Sequence, residues 1–190
     1  MNMKRLVCVV LAFIMLPAAW SGLAARRVSV STNLLDYVRL GTMNVDASYT
    51  VSRHWSFVAG ARYNPFTFNA GDSQTQFQYR QQSYALGARW WLWHTWSGWW
   101  FSGKARYQEY NAGGLGIRDT EEGDRVGAGL YMGYSHMLSP HMNVDFGFGF
   151  WGGMSWYTRY SCPTCGHITD EGQKYFVRPD DFMISVVYVF

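Results

Sequence analysis

After residue 25 this chain of 190 residues has no apolar run long enough to cross a bilayer as a helix, which excludes a helical membrane protein. Unbalanced charge is missing too. Sixteen Lys and Arg stand against 13 Asp and Glu, a net of +3, and no basic block gives the electrostatic footprint of a nucleic-acid binder. Cysteine is scarce: of three, Cys8 lies in the first apolar stretch, leaving only Cys162 and Cys165, so no second Cys pair exists to complete a zinc site. No Ser is placed by pattern beside a His on adjacent strands at the long-loop end, so a nucleophile–base pair cannot be assembled there. His54, His94, His136 and His141 fall in short connections, and only His167 lies in a long one.

What is present begins with the N-terminus. Lys4 and Arg5 precede an almost wholly apolar stretch from Leu6 to Trp20, and small residues follow at Gly22, Ala24 and Ala25. This is the layout of a cleaved secretory signal peptide over residues 1–25, leaving residues 26–190 as the exported part. The apolar run is short for a membrane anchor. Cys8 sits inside that run and not at its end, which argues against lipoprotein processing. Loss of Lys4 and Arg5 leaves 14 cations against 13 acids, a nearly neutral mature protein.

The exported part alternates with period two. Met43, Val45, Ala47, Tyr49 and Val51 interleave with Asn44, Asp46, Ser48 and Thr50. Trp55 to Tyr63 and Met142 to Phe150 repeat the pattern. Alternation puts an apolar phase on one face of each strand and a polar phase on the other. A soluble sandwich has the same pattern, so the connections must decide. Eight strands are predicted near 27–36, 42–51, 55–65, 77–92, 99–110, 125–135, 142–158 and 181–190. Short joins at 52–54, 94–98 and 136–141 alternate with long polar or Gly-rich ones at 69–76, 111–124 and 160–179. Short turns on one rim and long loops on the other predict an eight-stranded antiparallel transmembrane β-barrel, with both termini on the periplasmic side of an outer membrane. An even count closes the sheet and leaves no edge unpaired in lipid.

Aromatics fit this reading. They make up 18% of the chain, and Trp90, Trp91, Trp93, Trp96, Trp99 and Trp100 crowd one short turn. A periplasmic girdle of Trp55, Trp90, Trp93, Trp96 and Trp99 is expected at headgroup level. The last strand carries Phe182, Ile184, Val186, Tyr188 and Phe190 on one face. Its end, Tyr188 and Phe190, looks like the signal read by barrel-insertion machinery. With the apolar phase in outer-membrane lipid, Asp46, Arg62, Arg89, Lys104, Arg106, Asp145 and Asp181 point inward. Eight strands leave room only for side chains, and buried charges must be paired. The basic residues are therefore expected to meet the acids in a plugged lumen, the alternative being a narrow ion path. Glycines such as Gly127, Gly133 and Gly147 suit close lumen packing.

Cys162-Pro-Thr-Cys165 admits a redox dithiol, part of a metal site or a small disulfide. In an exported loop a Cys162–Cys165 disulfide is the default expectation. Asp119, Glu121, Glu122 and Asp124 make an acidic stretch, read as a solvated loop.

Several motifs carry a family resemblance. Ser31-Thr-Asn-Leu-Leu-Asp36, the stretch from Leu86 through Trp90-Trp91 and Ser97-Gly98-Trp99-Trp100 to Gly113-Gly114, and the loop Tyr160 to Gly166 with Tyr175-Phe176 resemble small Bacteroidota proteins grouped as the domain of unknown function 3575 family. Ser31 stands where that pattern has Lys. The resemblance implies an eight-stranded outer-membrane barrel without known catalytic activity, encoded beside fimbrial and other surface-assembly genes. The expectation is a non-enzymatic barrel without cofactor, metal or nucleic acid, part of a surface assembly such as fimbria biogenesis, with partner contacts on loops 111–124 and 160–179. A lipid-modifying enzyme or a narrow pore is the alternative.

Overall fold

β-branched and aromatic residues at every second position make extended chain the conformation that buries one face of each segment, and the computed structural model is built almost wholly from such strands. It describes residues 27–69, 76–114, 119–161 and 166–190. Residues 1–25, expected to be a signal peptide, and Cys162 and Cys165 lie outside the described residues, as does the side chain of Asp181.

The chain runs β1 (Val28–Asn33), α1 (Leu34–Val38), β2 (Met43–Ser52), β3 (Trp55–Asn64), the short β4 (Thr67–Phe68), β5 (Phe77–Trp91), β6 (Gly98–Gly113), β7 (Thr120–Ser139), β8 (Met142–Tyr160) and β9 (Ile168–Val189). Every pairing is antiparallel between neighbours. β1 pairs with β9, and β3 pairs directly with β5, so eight long strands close into a ring with β4 as an appendage. Among the described residues no helix is long and apolar enough to cross a membrane, which says nothing of strands.

The strands are strongly staggered. Ser185 opposes Asn33, whose row passes through Arg62, Ser83, Gln108, Arg125 and Ser155 before returning to β9 at Lys174, eleven residues higher on the same strand. Such stagger means that the strands tilt relative to the ring axis.

The described sheet departs from the expected strand limits in three places. The strand expected over 27–36 stops at Asn33, because the Asn33 side chain accepts a hydrogen bond from the Leu35 N–H and caps α1. In the loop expected over 111–124, residues up to Gly113 and from Thr120 onward are strand, since β6 runs to Gly113 and β7 starts at Thr120. The loop expected over 160–179 is strand from Ile168 onward. In these extensions polar residues such as Glu121, Glu122, Asp170 and Lys174 interrupt the alternation, so it could not mark them. Polar cross-strand bonds hold them instead: the Tyr160 hydroxyl donates to Glu122 at 2.6 Å, and Asn111 donates to Glu122 at 2.9 Å.

Candidate functional site

The outside of the ring is apolar, and its inside holds charged residues above an aromatic cluster. On the outer face Phe57, Leu86, Leu130 and Phe182 are 62%, 68%, 78% and 71% exposed. On the inner face Arg89, Lys104, Arg106 and Asp145 are buried. Along β6 the two kinds alternate without a break from Trp99 to Tyr110.

At the tight-turn end the interior is filled by Trp91, Trp96, Trp100 and Tyr131 with Met183, Val187 and Val189. Small inward residues make the room. A Cβ at Gly133 would collide with the Trp100 ring, and one at Gly149 with the Tyr131 ring. The Trp91 indole donates to Ser56 at 3.0 Å. Against this aromatic floor lies the Arg89–Asp145 ion pair, at 2.8 Å, with the guanidinium 4.0 Å from the Trp100 ring centroid.

Further up, cations sit on aromatic faces. Lys104 lies 5.0 Å from the Tyr131 ring, and Arg106 and Arg178 lie 5.1 and 5.2 Å from Trp151. These stackings are attractive where the cation is desolvated. Sequence reasoning sought only carboxylates as partners and missed these rings, although Trp100, Tyr131 and Trp151 share the inward phase of the charges. Arg62 pairs with Asp36 at 3.0 Å, an acid presented by α1 and also missed. Asp46 faces inward against Gly60 and has no ion pair among the described residues. Asp36, Arg39, Arg62, Arg106 and Arg178 border a polar cavity of about 60 Å³.

The set of Trp expected to face outward needs one correction. Trp55, Trp90, Trp93 and Trp99 are on the outer face at the tight-turn end, but Trp96 is 7% exposed and packs inside on Trp91 at 5.7 Å. Trp96 has a φ of 71°, a left-handed backbone that breaks the alternation and turns its ring inward. The Asn143 amide holds it there by donating to the Trp96 carbonyl at 2.7 Å. Of the six crowded Trp, three face out and three are buried, with Trp91 and Trp100 the other two inside. Tyr188 is on the outer face, and its ring meets Phe190 at 4.9 Å and His141 at 5.9 Å. The Phe190 N–H donates to the Val28 carbonyl at 2.9 Å, beside the ring's seam.

At the long-strand end Glu121 gathers an inward network. Lys174 donates to both its oxygens at 2.8 Å, Tyr110 at 2.6 Å and Arg159 at 3.2 Å, and Arg125 stands 3.6 Å away. Partial burial alone raises the Glu121 pKa, but the donors outweigh it and hold the carboxyl down at about 2. Tyr110 is pushed up by burial and by its bond to Glu121. The Arg125 guanidinium lies 3.4 Å from the Tyr110 ring. Outside the same end, an open depression of about 1000 Å³ is bordered by Gln82, Glu109, Asp124, Trp156 and Gln173, among others. Among the described residues no cluster of His, Cys, Asp or Glu could hold a metal ion.

A closed antiparallel ring with charged contents and an apolar exterior defines the protein first as an all-β ring protein. A family model described as "Protein of unknown function (DUF3575)" matches residues 8–190, and the chain belongs to that family. No curated protein matches the chain.

Proposed function

We propose that this protein is an outer-membrane β-barrel that acts without catalysis, as a structural or accessory part of a cell-surface assembly such as fimbria biogenesis. The observation that carries this reading is the reversed polarity of the ring. Leu130 and Phe182 are more than two-thirds exposed while Arg89 and Asp145 are buried. In water so continuous an apolar exterior invites aggregation. In lipid the same surface is solvated, and a closed ring satisfies its own main-chain hydrogen bonds. The outward Trp at the tight-turn end suit an interfacial girdle.

The filled interior supports a structural role. Arg89, Asp145, Lys104 and Arg106 are engaged with one another or with aromatic rings, and Trp91, Trp100 and Tyr131 fill the tight-turn end. The surface-assembly role rests on the gene surroundings that the family resemblance implies.

Fractionation with heat-dependent electrophoresis tests the membrane reading. The protein should band with the outer membrane and migrate faster unheated than boiled; recovery as a soluble protein would sink the proposal. Deletion of the gene should lower the amount of surface appendage displayed, and an unchanged surface proteome would remove the assembly role. In planar bilayers the purified protein should show no steady openings.

A further inference from the structure

The ring closes, but β9 is far longer than its partner on one side. Its ladder with β8 runs from Ile168 to Tyr188, whereas its ladder with β1 covers only Ser185 to Val189. α1 packs beside the next part of β9, where the Ile184 N–H donates to Asn33. Beyond that point, among the described residues, no strand pairs with the β1-side edge of β9. An edge of this kind presents a row of main-chain donors and acceptors, a template for another strand.

The side chains along it are also exposed. Tyr175 and Val177 are each 83% exposed, more than any other large apolar side chain on the described surface. The outward apolar residues of β9 run from Tyr188 up to Tyr175. At about 3.3 Å per residue and a tilt of roughly 40° this is on the order of 30 Å of height, more than the ~25 Å apolar band of an outer membrane. Tyr175 and Val177 therefore stand at or above the top of the band. Pro179 bounds the segment below, since it has no N–H to offer. Above Tyr175 the outward residues become polar, with Gln173 and then the exposed Glu171.

We infer that the segment Glu171 to Val177 of β9 is a docking edge for an extended strand of a partner protein, added to the sheet by main-chain hydrogen bonds. This rests on the membrane reading above and names the surface through which the assembly role would act. Main-chain bonding supplies affinity in strand addition, and alternate side chains supply specificity. Side chains opposite Tyr175 and Val177 should be apolar. A Lys or Arg should lie four residues from the one facing Tyr175, opposite Glu171.

A second copy of this chain is the poorer occupant. Antiparallel pairing of two β9 edges requires a two-fold axis perpendicular to the sheet, which inverts one ring relative to the other. Two rings inserted in one membrane share an orientation. With the axis along the membrane normal, two tilted edges cross and cannot form a ladder.

The test uses the full chain in cells, with the photo-crosslinker p-benzoylphenylalanine placed at Tyr175, and at Leu86 on the far side as control. The expected result is one defined protein adduct from position 175 and none from 86, with the cross-linked peptide reading as an alternating segment with that basic residue. Glu171→Lys and Val177→Pro should each lower the adduct at least tenfold while heat-dependent migration stays normal. If Val177→Pro abolishes that migration, Val177→Asp replaces it with the same expectation. No protein adduct at 175, adducts only to the chain itself, or a yield indifferent to these substitutions would overturn the docking edge. Loss of heat-dependent migration by the unaltered protein would instead overturn the membrane reading beneath it.

Discussion

Arg89 combines an ion pair to Asp145 with stacking on Trp100, all within a nearly dry layer. Removing one partner leaves an uncompensated buried charge, which costs about 3–5 kcal/mol, whereas removing both can be nearly neutral. Arg89→Met and Asp145→Leu should each destabilise by that order, and the double variant should recover most of the loss. Urea unfolding followed by Trp fluorescence checks this, and additive losses in the double variant would contradict it. Gly133 makes a different demand. A side chain there meets the Trp100 ring and the Phe146 carbonyl together. Gly133→Val should cost at least about 1–3 kcal/mol by overpacking, read as a lower urea midpoint.

At the scale of the element, the upper parts of β7, β8 and β9 are tied through one carboxylate. Glu121 has a depressed pKa in the folded state, at about 2 against an unfolded value near 4.3. Its stabilising contribution is therefore present in full above about pH 4.3 and is lost as pH falls toward 2. Between those values, amide exchange in 120–125 and 170–176 should quicken while exchange in the ring's lower half stays slow. Glu121→Gln should remove that pH dependence and quicken exchange already at pH 7. The same elements show what was legible beforehand. Segments such as Trp55 to Tyr63 announced themselves because one of their faces is apolar. The ends of β7 and β9 did not, because Glu121, Glu122, Asp170 and Lys174 put polar groups on both faces, and only pairing across strands reveals them as sheet. The inward phase of Arg89, Lys104 and Arg106 could be read from alternation. Their aromatic partners could not, because which ring meets which cation depends on strand stagger. Trp96 escaped because one left-handed residue reverses the phase of its side chain.

For the whole molecule, the two faces of the ring should answer differently to lipid. In bilayers containing brominated acyl chains, Trp90 and Trp99 should be quenched and Trp91 and Trp100 protected. Single-Trp restorations in a Trp-depleted background, with Phe elsewhere, measure this; equal quenching of both sets would contradict the inside–outside assignment. The short first strand carries a consequence of another kind. β1 is made first and β9 last, and the contact of Ile184 with Asn33 spans 151 residues. The largest loop in the molecule is thus closed by one of its shortest ladders, from Ser29 to Asn33. Every other junction joins neighbours in sequence and can form as its hairpin appears, whereas this one must wait for β9. Until β9 is made, β1 lacks the partner that closes the ring, so this seam is the last junction available to form.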